Sequence, residues 1–92
     1  MKLFAVKDLK AALYQAFFVR NKAEAIRNFT MLANNPDSMI ARFPADYRLI
    51  ELGELEESTG QYFPLDPQLD LGGAVDFKSE QAPQPDLGLK SV

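Results

Sequence analysis

The sequence predicts an α+β fold: a small antiparallel sheet in β-β-α-β-β order, with one main helix packed on a face. Three observations carry this. The chain opens with two short runs rich in apolar, β-branched and aromatic residues (2–7 and 12–19). Residues 22–34 repeat their apolar positions at helical spacing behind a good cap. Extended runs separated by a Gly-containing turn then follow, at 47–55 and 61–63.

The first strand, residues 2–7, places Lys2, Phe4 and Val6 on one face and Leu3, Ala5 and Lys7 on the other. Asp8, Leu9, Lys10 and Ala11 make a turn. Residues 12–19 read as a second strand, because Phe17, Phe18 and Val19 favour extended backbone. Their alanines and Leu13 leave a rival open, a helix beginning at Asp8. In the main helix Asn21 is the N-cap, and Glu24 stands three residues on in a capping-box arrangement. Ala25, Ile26, Phe29, Leu32 and Ala33 form its apolar face. Pro36 stops it, since proline disfavours helical geometry in the residue before it. Ser38 or Asp37 caps one short turn over Met39–Phe43, and Pro44 ends that turn.

Residues 47–55 read as a strand with two mixed faces, Tyr47, Leu49, Glu51, Gly53 and Leu55 against Arg48, Ile50, Leu52 and Glu54. Pattern alone does not say which is buried. Gly60 supplies a left-handed position in the next turn. Gln61, Tyr62 and Phe63 return as a short strand ended by Pro64, and residues 71–77 offer one last short strand. Residues 1–78 are thus one domain. Residues 79–92 hold two prolines and no periodicity, and read as a flexible C-terminal tail.

The chain of 92 residues holds no Cys, His or Trp. Disulfides, thiol nucleophiles and the commonest general base and metal ligand are therefore excluded. Glu54, Glu56 and Glu57 lack the spacing of a calcium loop, and no glycine-rich phosphate loop is present. Serines have no histidine to activate them. The expectation is a protein that is not an enzyme and needs no cofactor and no metal. The apolar start is too short and too interrupted by Lys7, Asp8 and Lys10 for a signal peptide, and no window is long enough to span a membrane.

Net charge is −3, but it is unevenly divided. Residues 1–48 hold eight Lys/Arg and four Asp/Glu, a net of +4; residues 49–92 hold two and nine, a net of −7. Exposed aromatics among cations can stack on unpaired bases. Tyr14 and Phe18 would share a face of the second strand, flanked by Lys10 and Arg20. With Lys7, Lys22 and Arg27 they make up the candidate nucleic-acid-binding set. The competing reading leaves the cations on solvated faces, some paired with Glu51, Glu54, Glu56 or Glu57, and turns Phe17 or Phe18 into the core.

A more specific signal lies in the whole-chain layout. Met1-Lys2-Leu3-Phe4-Ala5-Val6-Lys7-Asp8, Phe17-Phe18 and Glu24-Ala25-Ile26-Arg27-Asn28-Phe29 come in order. Asn35-Pro36-Asp37-Ser38, Phe43-Pro44-Ala45-Asp46-Tyr47, Leu52-Gly53-Glu54, Thr59-Gly60 and residues 71–77 complete the series. Over about residues 1–78 this resembles the small nonstructural protein of gokushoviruses, the microvirus branch of single-stranded-DNA phages. Relatives often carry Tyr at the place of Lys7 and Pro at the place of Ala16. The Pro would favour a strand, so Ala16 withdraws that support here. The resemblance implies an accessory role in single-stranded DNA synthesis or genome packaging in the host bacterial cytoplasm. It supplies no catalytic residues. Phe4, Phe29, Pro36, Pro44, Tyr47, Gly53 and Gly60 match it as fold determinants. Two partner classes follow: single-stranded DNA, or phage replication and capsid proteins or a host factor bound without DNA contact. A homo-oligomer is compatible with both, and no membrane partner is expected.

Overall fold

A computed structural model describes residues 1–79. Four strands form one antiparallel sheet in the order β2-β1-β3-β4. They are β1 (Lys2–Asp8), β2 (Leu13–Val19), β3 (Tyr47–Glu56) and β4 (Gln61–Gly73). Helix α1 (Lys22–Asn34) crosses one face, and a single turn of helix α2 (Met39–Arg42) follows it. The α+β class and the antiparallel sheet are as the sequence predicts. Residues 12–19 resolve in favour of the strand.

The first hairpin shows why. Asp8 Oδ1 accepts the N–H of Lys10 at 3.0 Å and that of Ala11 at 3.1 Å, which turns the chain back on itself. Ala12 then adopts φ 58°, a left-handed conformation unusual for a residue with a Cβ. It belongs to the turn and not to the strand. The rival helix beginning at Asp8 has no place, since Lys2 to Asp8 pair in full with Val19 to Leu13.

Both N-caps form as read, with one change to the capping box. Asn21 Oδ1 accepts the Glu24 N–H at 2.9 Å, while the Glu24 carboxylate accepts the N–H of Arg20, one residue before the cap, at 3.1 Å. Ser38 Oγ accepts the Ala41 N–H at 3.1 Å. Asn35, preceding Pro36, is extended at φ −87°, ψ 110°, so α1 stops there.

The core lies between α1 and the sheet. Phe4, Phe29 and Leu49 are its largest fully buried side chains, joined by Val6, Val19, Ala25, Ala33 and Ala74. Register puts Phe4 and Val6 of β1, Phe17 and Val19 of β2, and Leu49 of β3 on this helix-covered face. Leu32 departs from expectation: it is 40% exposed, at the rim of the helix rather than beneath it. On β3, the face with Tyr47, Leu49 and Glu51 is the one under the helix. Ile50 is nonetheless buried on the opposite face beside Ala5.

The alternation of β3 breaks once. Leu3 pairs with Gly53 and Phe4 with Glu51, leaving Leu52 as a bulge. Gly53 then lies beneath β4: a Cβ there would sit 2.5 Å from the Phe63 carbonyl oxygen and 2.6 Å from the Tyr62 hydroxyl.

β4 corrects two expectations. It does not end at Pro64 but runs through Pro64 and Pro67 to Gly73. Proline is tolerated because β4 is an edge strand, where a missing N–H costs no ladder bond. Nor is 71–77 a last strand. Leu71 to Gly73 end β4, and Ala74–Phe77 curl into a 3-10 turn, fixed where Asp76 Oδ2 accepts the Gly73 N–H at 3.0 Å. The turn carries Phe77 edge-on to Phe29, with ring centroids 5.4 Å apart. Asn34 Nδ2 donates to the Phe77 carbonyl at 3.0 Å, and Asn34 Oδ1 accepts the Ser79 N–H at 2.6 Å. Ser79 is the only residue of the expected tail among those described.

Two substitutions test these backbone constraints by urea denaturation. Ala12→Gly relieves the left-handed strain and is expected to stabilise the domain by about 0.5–1 kcal/mol. Gly53→Ala forces a Cβ against a backbone oxygen and is expected to destabilise it by about 2 kcal/mol or more. A neutral result at Gly53 would mean that β4 does not lie over it as described.

Candidate nucleic-acid interface

With α1 on one face, the other face of the sheet carries no helix; Ala5 and Ile50 at its middle are buried, and the residues around them are open. Register lines up Tyr14 of β2, Lys7 of β1 and Arg48 of β3 on it as adjacent cross-strand neighbours. The Lys7 ammonium sits 5.3 Å from the centre of the Tyr14 ring, a cation–π distance. The Arg48 Nε donates to Asp70 Oδ2 of β4 at 2.8 Å. Lys7 and Arg48 stand directly opposite each other, an arrangement of like charges that disfavours the pair. The Tyr14 ring and the Asp70 carboxylate offset it from either side.

The Tyr14 hydroxyl donates to Gln68 Oε1 at 3.3 Å. β2 and β4 are three strand spacings apart, roughly 14 Å. The contact is made because residues 65–68 bulge from β4, between the Gly53–Pro64 and Glu51–Leu69 pairs, toward the open face. Phe18, paired with Leu3, lies on the same face and is 49% exposed.

The seven sequence-predicted residues therefore divide. Lys7, Tyr14 and Phe18 share the open face. Lys10 sits in the β1–β2 turn, beyond the Tyr14 end, and Arg20 follows β2 at the Phe18 end. Lys22 and Arg27 belong to α1, in the layer on the opposite side of the sheet. Lys22 is engaged there: its ammonium and that of Lys2 each lie 3.7 Å from Glu51, whose side chain is 8% exposed. This matches the competing reading, in which some cations pair with glutamates. Arg48 is among the eight cations of residues 1–48 that could face a polyanion but lies outside the narrower candidate set. Its place beside Lys7 depends on which strands are neighbours, and local pattern does not encode that.

A second feature flanks β2 on the helix side. Leu13, Gln15, Leu32, Met39 and Tyr47 line an open groove of about 630 Å³. It continues past Phe17 and Phe29 as a second groove of about 420 Å³. Burial, and then the carboxylates of Asp8 and Asp46, raise the Tyr47 phenol above its ordinary value of 10.0. Among the described residues no cluster of three potential metal ligands occurs, and no helix is long and apolar enough to cross a membrane.

The hydrogen bond from Arg48, seconded by the Gly72 N–H and the charge of Lys7, holds the Asp70 carboxyl below its ordinary 3.8. A depressed folded value contributes stability above the unfolded pKa and loses it as pH falls through the folded one. The stability difference between wild type and Asp70→Asn is thus expected to hold near neutrality and to shrink below about pH 4, in urea titrations at stepped pH. A difference that stays constant into strong acid would exclude the Arg48–Asp70 linkage.

Comparison with curated proteins and with solved structures gave no match. A family model does match, over residues 1–77, which takes in all four strands, both helices and the closing 3-10 turn. The chain belongs to the family described as Phage ORF5 protein.

Proposed function

We propose that this phage protein is a non-enzymatic accessory factor of a gokushovirus that contacts single-stranded DNA during genome synthesis or packaging. The observation that carries the reading is the cross-strand row on the open face, where Tyr14, Lys7 and Arg48 are neighbours and Phe18 is exposed close by. Flat rings on a rigid sheet offer stacking surfaces to unpaired bases, and every base has a π-face, so such contacts tolerate any sequence. Lys7 supplies the attraction to phosphate, Arg48 less of it because Asp70 already pairs with it, and Lys10 and Arg20 extend it at the two ends of β2. The host bacterial cytoplasm is the compartment in which such a step takes place.

Lys22 contributes less in this reading, because Glu51 already neutralises it. Arg27 lies in the helix layer and serves as a control position. One observation favours a second reading, an adaptor that docks on a replication, capsid or host protein without touching DNA. It is the row of exposed apolar side chains at Leu13, Leu32 and Met39 beside β2.

Fluorescence anisotropy with a labelled single-stranded oligonucleotide separates the two. Binding is expected at low salt and weakens steeply as salt rises, with a slope of about −0.7 per phosphate contact. Tyr14→Ala together with Phe18→Ala should weaken it by roughly 1–3 kcal/mol per stacked base, whereas Arg27→Ala should barely change it. Lys7→Glu should lower both affinity and salt slope. Absence of binding at low salt would leave the adaptor.

A further inference from the structure

The two edges of the sheet are built in opposite ways. β4 carries Pro64, Pro67, Asp66 and Asp70 and a bulge, all devices that discourage another strand from pairing there. β2, Leu-Tyr-Gln-Ala-Phe-Phe-Val, has none: no charge, no proline and an unbroken seven-residue register with β1. One side of its backbone meets β1, and the other turns its N–H and C=O groups outward. Its flanks are apolar on both faces. Leu13 is 66% exposed, Tyr14 45%, Phe18 49%, and Leu32 and Met39 rim the groove below.

We propose that β2 is a self-pairing edge, and that a second copy of this chain adds its own β2 antiparallel to it, forming a two-fold dimer with a continuous eight-stranded sheet. The inference does not depend on the DNA reading. Pairing all seven residues fixes the register: Ala16 meets the partner's Ala16, Tyr14 the partner's Phe18, Gln15 the partner's Phe17 and Leu13 the partner's Val19. Tyr14 then faces Phe18 and Leu13 faces Val19, favourable cross-strand pairings, while Gln15 lies against Phe17. The five exposed apolar side chains present on the order of 500 Å² per copy, and with the backbone edge and Gln15 they approach the ~800 Å² per partner of a standard stable interface. A peptide of another protein could satisfy the backbone edge, but self-pairing also matches the side chains at every position except Gln15 and Phe17, because the strand is close to its own complement about Ala16.

Ala16 is exposed and lies on the seam, so it tests the register directly. Sedimentation equilibrium of the wild-type chain in the micromolar range should return twice the 10.3 kDa chain mass. Ala16→Lys alone and Ala16→Glu alone should each be monomeric, because like charges then face one another across the two-fold axis. An equimolar mixture of the two should recover the dimer. Circular dichroism establishes that the variants are folded. Should either fail to fold, amide exchange of the wild-type chain decides, since β2 amides should exchange more slowly as concentration rises. A monomeric wild type overturns the proposal, whatever else then occupies the edge. So do charged variants that remain dimeric, a mixture that fails to reassociate, or β2 exchange that ignores concentration.

Discussion

Phe4 and Leu49 on two adjacent strands and Phe29 on α1 are each sealed from solvent within one cluster, and their packing limits what the rest of the chain can do. A helix of 13 residues is about 20 Å long and about 10 Å wide, while four strands place their outer axes roughly 14 Å apart. One helix therefore dries the middle of one face and no more. β1 and β3, the central strands, supply Phe4, Val6 and Leu49 to the core. β2 and β4 are left at the margins, where β4 is exposed for most of its length and β2 buries only Val19 completely. The open face, the open edges and the exposed aromatics all stem from a sheet wider than its cover.

The same geometry explains the split charge. The positive first half and the negative second half are not two surfaces. β1 and β3 are neighbours, so Lys2 falls beside Glu51 and Glu54, and Arg48 falls beside Asp70 on β4. Lys22, at the start of α1, reaches down to the same buried Glu51. A carboxylate at 8% exposure is costly unless compensated, and two ammonium groups at 3.7 Å provide that compensation while tying β1, β3 and α1 together. Much of the apparent positive excess is thus spent internally. Among the described residues no ion pair engages Lys7, Lys10, Arg20 or Arg27. Only Lys7 of these stands in the middle of the open face.

What could be read in the sequence was what neighbours in sequence decide. The caps at Asn21 and Ser38, the stop at Pro36, the left-handed Gly60 and the face shared by Phe4 and Val6 all rest on contacts within a few residues. The unread features rest on strand order. Pro64 looks like a strand end until β4 is known to be an edge. The burial of Ile50 cannot be read until Ala5 is known to lie next to it. Residues 71–77 look extended because Leu71, Val75 and Phe77 are strand formers, yet Asp76 closes a turn and Phe29 offers Phe77 a partner distant in sequence. The candidate site shows the same division. The shared face of Tyr14 and Phe18 follows from the alternation of one strand, whereas the place of Arg48 beside Lys7 and the pairing of Lys22 with Glu51 follow from tertiary contacts.

The two edges of the sheet differ in how readily another strand can pair with them. A single unprotected strand is a hazard in a small domain, because any extended chain can pair with it. β4 carries prolines and aspartates enough to avoid that. In β2 the charged-to-neutral boundaries fall outside the strand, at Lys10 and at Arg20, so nine uncharged residues, the seven of β2 among them, stand between two cations. Charges placed there flank the edge without blocking it. That layout suits a strand meant to be paired or contacted along its length. It also sets Tyr14 and Phe18, the rings of the open face, at the seam where a pairing strand would arrive. The open face and the open edge meet at the same two residues, so whatever pairs with β2 also changes the width and shape of the aromatic surface.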